Sequence, residues 1–157
     1  MKARRYAIAL SLIALLAAPA LTHADIEWRG WGPRVGVSDD PDQVVGGVHF
    51  DLGELANNVH FRPSAEMGIG DDVTSLLGNA LVMYMWDLQV DPYAGGQVVV
   101  AWFNPDNGDS ETELGIDAVG GFEMTFSGGT RFHTELQAGI GDIHDFKLMA
   151  GWTFGGR

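Results

Sequence analysis

Polar and apolar positions alternate along most of this chain. The cleanest run is residues 131–140. Phe132, Thr134, Leu136, Ala138 and Ile140 share one face there, and Arg131, His133, Glu135, Gln137 and Gly139 share the other. After Gly141-Asp142-Ile143 the pattern resumes, with Phe146, Leu148, Ala150, Trp152 and Phe154 opposed by Asp145, Lys147, Met149, Gly151 and Thr153. A side-chain period of two is the mark of a strand with two unlike faces. The same reading predicts strands over 28–38, 43–52, 59–69, 76–86, 93–103 and 111–126, with 130–140 and 144–154 bringing the number to eight. Turn residues stand between them: Asp39 to Asp42, Gly53 to Asn58, Gly70 to Thr74, Asp87 to Pro92, Asn104 to Ser110, Ser127-Gly128-Gly129 and Gly141 to Ile143.

Several pairings follow from this layout. A turn centred on Gly128 sets Thr125 opposite Arg131 and Glu123 opposite His133. One centred on Asp142 sets Gln137 opposite Lys147, with Glu135 diagonal to it. The triplet Val-His-Phe occurs at Val48 and again at Val59, so a hairpin symmetric about Glu54 and Leu55 would set His49 against His60. The segment 76–86 is the least clear, because Leu81, Met83 and Met85 make its second face apolar as well.

Alternation alone does not say which face points inward. A lipocalin-like carrier buries its apolar face, and a membrane barrel does the reverse. The polar faces carry both signs of charge and can satisfy one another inside a closed barrel: Arg34, His49, Asp51, His60, Arg62, Glu66, Glu123, Arg131, His133, Glu135 and Lys147. The apolar faces gather aromatic residues near strand ends, as an interfacial girdle does. The expected lipid-facing belt is Trp31, Phe61, Trp86, Trp102, Phe132, Leu148, Trp152 and Phe154. Both features favour an all-β, eight-stranded antiparallel up-and-down transmembrane β-barrel. With an even strand count both chain ends lie on one side, the periplasmic one, and the short acidic loops lie on the other.

Composition adds a compartment. Lys2, Arg4 and Arg5 precede an apolar stretch from Ala7 to Ala18, and Thr22-His23-Ala24 fits a small-x-small cleavage site. Residues 1–24 thus read as a cleavable signal peptide and 25–157 as one barrel domain. All 21 acidic residues and only six basic ones fall in that domain, a net charge of −15 with histidine neutral, which argues against nucleic acid as a partner. There is no cysteine, so no disulfide holds this exported chain. Barrel closure, which pairs every strand edge, is another source of stability.

Asp91-Pro92-Tyr93-Ala94-Gly95-Gly96 opens the fifth strand and Lys147-Leu148-Met149-Ala150-Gly151-Trp152-Thr153-Phe154 closes the last. Together with the signal segment and the eight amphipathic strands, these resemble the small outer-membrane barrels of Gram-negative bacteria, the opacity type and the outer-membrane-protein-A type. The resemblance implies residence in the outer membrane among its lipids and lipopolysaccharide. It also implies insertion by the barrel assembly machinery, which reads a C-terminal aromatic strand. Two departures are visible. Gly155-Gly156-Arg157 follows the final aromatic, and the outer loops are short where the family's host-binding members carry long ones.

Some small barrels act on lipid. The deacylases of lipid A use a His-x-Ser pair, and the nearest match here is His133-Thr134-Glu135, whose Thr134 falls on the opposite face. Glu123 and Glu135 could orient His133 as a base needs; no serine stands beside it. His49 and His60 could share a metal with Asp51, without further ligands evident from spacing. The loop carboxylates Asp39, Asp40, Asp42, Asp71, Asp72, Asp106, Asp109 and Glu111 could collect Ca²⁺ or Mg²⁺, although no loop has EF-hand spacing. The reading adopted is a monomeric, non-enzymatic outer-membrane barrel with a structural, membrane-integrity or interaction role, needing no cofactor. The alternatives are a lipid-modifying enzyme built on His133 and a soluble periplasmic carrier of the lipocalin kind.

Overall fold

A computed structural model describes residues 25–106, 108–140 and 143–155. The expected signal peptide, residues 1–24, lies outside these residues, as do Gly156 and Arg157. Eight strands follow in order: β1 (Asp25–Asp39), β2 (Gln43–Ala56), β3 (Val59–Ile69), β4 (Val73–Met85), β5 (Asp91–Pro105), β6 (Glu111–Thr125), β7 (Arg131–Ile140) and β8 (Phe146–Thr153). Each pairs antiparallel with its sequence neighbours, and β1 pairs with β8, so the sheet closes into a barrel. Just beyond β8, Phe154 completes the seam with two backbone bonds to Trp31, at 3.0 and 2.8 Å. Closure gives every strand two neighbours, which is how a chain without cysteine secures most of its backbone groups.

The hairpins show why local sequence sets register. In β6–β7, Gly128 and Gly129 take positive φ (111° and 83°), the conformation glycine adopts without penalty. Thr125 then faces Arg131 and Glu123 faces His133, as expected. In β7–β8, Gln137 faces Lys147 and Glu135 faces Met149, which leaves Glu135 diagonal to the lysine as read from the sequence.

The β2–β3 hairpin departs from expectation. The strands run on to Ala56 and Val59 and turn tightly at Asn57-Asn58, with Asn58 in the left-handed region at φ 62°. Asparagine tolerates that conformation better than most residues. His49 therefore pairs with Ser64 and His60 with Glu54, so the two histidines do not face each other. The partner of His49 is shifted by four residues and that of His60 by five, because the register is irregular between these pairs; both histidines are nonetheless buried on the inward face.

Two boundaries also move. β4 begins at Val73, three residues before the expected Leu76, so Ser75 joins the inward face and donates to the Gln43 side chain at 2.7 Å. The last strand begins at Phe146 rather than His144. Strand parity would have turned His144 outward with Phe146; instead Ile143 and His144 are both buried at the barrel mouth. Ile143 packs on Leu77, Val99 and Ala101. A side chain at position 115 would collide with Ile143, so Gly115 leaves the space it fills.

Candidate functional site: the ionic lumen and the apolar outer face

The lumen is polar along most of its wall. Arg34, His49, Asp51, His60, Arg62, Glu66, Glu123, His133, Glu135 and Lys147 are all buried; Arg131 is half-buried nearer the rim. Period-two strands bring them together, because every second residue of each strand points to one axis.

Two linked networks satisfy most of the charge. Nearer the chain termini, Arg62 binds Glu123, while Arg131 lies 3.1 Å from Glu123 and 2.5 Å from Asp51. Arg131 also donates to the Arg29 carbonyl at 2.8 Å. Outside this network, Glu54 at the rim draws in Arg29 (3.5 Å) and His60 (3.7 Å). At mid-height Arg34 binds Glu135 and sits 3.2 Å from Glu66, which also holds Lys147 at 2.9 Å. Tyr93 donates its hydroxyl to Glu135 at 2.7 Å, and the Gln137 amide donates to the same carboxylate at 2.6 Å. The chain continues upward through Gln97, which donates to Gln137 at 2.7 Å and to Asp117 at 2.6 Å. Charge-assisted bonds of this kind are strong in a low-dielectric interior.

His133 is placed differently from expectation. The sequence suggested a histidine held between Glu123 and Glu135. Those carboxylates instead go to arginines, whose fork geometry suits them, and neither ring nitrogen of His133 makes a hydrogen bond within the protein. Its ring lies edge-on to His49, with centroids 4.7 Å apart. His49 in turn is 2.8 Å from the Thr153 hydroxyl. His133 is fully enclosed, and among the described residues no serine hydroxyl bonds to its ring nitrogens. Its ring occupies space left by Gly151, where a Cβ would come within 2.6 Å of the imidazole. Gly151→Val is expected to destabilise the barrel by about 1–3 kcal/mol through overpacking, read as a lower urea midpoint of the refolded protein.

The sequence reading left several lumen residues outside its network. Tyr93, Ser64, Asn79, Gln97, Asp117, Gln137 and Thr153 are buried polar residues on inward faces. Strand parity marks each of them, and it sets Gln137 opposite Lys147; all but Asp117 are uncharged, whereas the expected network consists of charged residues and histidines. One wall is not ionic. Leu81, Met83, Tyr93 and Val119 form an apolar cluster, and Met85 packs against it. That explains the two-sided apolar pattern of residues 76–86. Among the described residues no three His, Asp or Glu side chains stand close enough to hold a metal ion.

The outer face is the reverse. Trp31, Trp86, Trp102, Leu148, Trp152 and Phe154 are exposed, and Phe61 and Phe132 are half-buried. Val35, Val37, Val44, Met67, Ile69, Leu76, Val100, Leu136, Ile140 and Phe146 extend this surface around the barrel, each between 48% and 70% exposed. A continuous apolar exterior of this extent is far beyond the scattered apolar residues of a water-soluble protein.

Solved structures with this arrangement exist. The chain is similar to Neisserial surface protein A (NspA), with a TM-score of 0.57 and 14% identity over 78% of this chain and 89% of that one. It is similar also to the outer membrane protein Ail of Yersinia pestis, with a TM-score of 0.52 and 9% identity over 80% of this chain and 98% of that one. The fold is that of the small eight-stranded outer-membrane barrels. No family model and no curated protein matches the sequence itself. At these identities the likeness is one of fold alone.

Proposed function

We propose that the protein is a monomeric, non-enzymatic outer-membrane barrel of a Gram-negative bacterium, with a structural, membrane-integrity or interaction role. The observation that carries this reading is the inversion of polarity, with ion pairs on the axis and exposed aliphatic and aromatic side chains outside. Water would penalise such an exterior, whereas lipid is its natural solvent. The folds of the structural neighbours support the same compartment. Partners on this reading are outer-membrane lipids, lipopolysaccharide and, during insertion, the barrel assembly machinery.

The interior speaks against transport and against lipid chemistry. An eight-stranded barrel has room for side chains and little else, and here Arg62, Tyr93, Lys147, Met149 and others fill it. A base that attacks lipid must reach it, and His133 is enclosed. His133→Ala is expected to leave the lipid A profile of the cell unchanged; loss of a modified species would favour the enzyme. A lipocalin-like carrier needs an apolar interior, the opposite of this lumen. Fractionation tests the whole reading. The mature protein should pellet with the outer membrane and shift in gel mobility on boiling, and recovery in the soluble periplasm would contradict it.

A further inference from the structure

A pair of buried histidines holds the end of the last strand, and the membrane role does not use it. β8 has eight residues. Its ladder to β1 runs from Phe146 to Gly151 and is taken up again only where Phe154 bonds Trp31. Between those points two histidines meet the strand. His49 on β2 places Nε2 2.8 Å from the Thr153 hydroxyl. His133 on β7 pairs with Gly151, and its ring fills the space that a side chain there would need. The two rings meet edge to face with centroids 4.7 Å apart, and both are fully buried.

The other two described histidines are placed differently. His60 has the Glu54 carboxylate at 3.7 Å and His144 has Asp117 at 3.3 Å, so a charged ring at either place has a counter-ion. Among the described residues no carboxylate stands within ion-pair distance of His49 or His133. The charges around the pair are already committed. Arg34 from β1 and Arg62 from β3 act on both rings. Glu135 on β7 serves Arg34, Tyr93 of β5 and Gln137. Glu123 on β6 serves Arg62 and Arg131. Asp51 on β2 accepts from Arg131 and from the Gly53 amide. Lys147, the charge on β8 that faces inward, is held by Glu66, and β4 carries no charged residue. A proton on His49 or His133 would add a cation beside two guanidiniums, where every nearby carboxylate already serves an arginine.

We propose that the His49–His133 pair is an acid-sensitive latch on the β1–β8 seam. The inference rests on the ionic lumen of the barrel proposed above. With both rings uncharged, the seam is closed. Where the seam opens at Thr153 and Phe154, the rings meet water, in which an imidazole takes up its proton at about pH 6.5. Below that pH the open form holds more protons than the closed one, so acid favours opening. The opening equilibrium should rise about tenfold for each ring between about pH 7.5 and about pH 5.5.

Amide hydrogen exchange of the refolded protein in detergent micelles, corrected for the intrinsic pH dependence of exchange, tests the proposal. Protection of the Trp31 and Phe154 amides should fall about tenfold or more over that interval, while protection in β4 and β5 holds. His49→Gln/His133→Gln should abolish the fall, and His60→Gln/His144→Gln should keep it. Three results would each overturn the latch: a seam whose protection does not change, an equal loss in β4 and β5, or a response that survives in His49→Gln/His133→Gln. If that variant does not refold, the contrast between the seam and β4–β5 in the unaltered protein decides alone. A protein recovered from the soluble periplasm would instead contradict the membrane-barrel reading; a refolded barrel with a pH-independent seam contradicts only the latch.

Discussion

Arg34→Met is expected to lower the stability of the barrel by about 3–5 kcal/mol, the usual result of removing one partner from a buried ionic group. Arg34 is 3% exposed and serves two carboxylates, Glu66 and Glu135. Glu66 keeps Lys147 at 2.9 Å and the Ser64 hydroxyl at 3.0 Å. Glu135 is left with the Tyr93 hydroxyl and the Gln137 amide, neither of which carries charge. An anion without a cation then remains in a lumen closed to bulk water. The substitution acts less through the lost attraction than through the stranded carboxylate. Adding Glu135→Gln should therefore recover much of the loss. Urea midpoints of the single and double variants, read by gel mobility after refolding into vesicles, decide the matter. An unchanged midpoint for Arg34→Met would show that Glu135 does not depend on this arginine.

The second large effect belongs to the outer face. Leu136 lies midway along the outward side of β7, between Phe132 and Ile140, and is 51% exposed. Leu136→Arg is expected to destabilise the barrel in a bilayer by about 2–4 kcal/mol, because a charge near the membrane midplane loses its hydration. Leu88, at the turn between β4 and β5, is also exposed, at 64%. Leu88→Arg should cost only about 0–1 kcal/mol there, because its depth is interfacial. On a water-facing surface both substitutions would fall within about 0.5 kcal/mol. The contrast between the two sites, measured in the same vesicles, thus separates lipid from water as the solvent of this face.

Much of the fold could be read from the chain because its information is local. Residues 131–140 and 146–153 alternate so regularly that strand, face and partner followed from sequence alone, and Gln137 meets Lys147 as expected. Contacts across the lumen were not legible in the same way. Arg34 on β1 meets Glu135 on β7, 101 residues away, and only closure of the barrel decides that pairing. The same holds for Arg62 with Glu123 and Lys147 with Glu66. The β2–β3 register was missed because a repeated Val-His-Phe triplet suggested a symmetric hairpin, while the turn obeyed Asn57-Asn58. His144 was missed because parity fails where a strand has not yet begun. The backbone at Asp145 bonds instead to Gly139 and Asp39, and His144 is buried. Parity marked the inward side of each strand well; the choice of partner depended on three dimensions.

Because the sequence contains no cysteine, single cysteines can carry spin labels without interference. Labels at Leu136 and Leu148 report the solvent of the outer face, and one at Asp72 reports the loop end. In vesicles, the labels at Leu136 and Leu148 should collide readily with oxygen, which concentrates in lipid, and scarcely with a water-soluble nickel complex, while the label at Asp72 does the opposite. Nickel collisions at Leu136 and Leu148 as frequent as those at Asp72 would contradict a barrel with lipid outside.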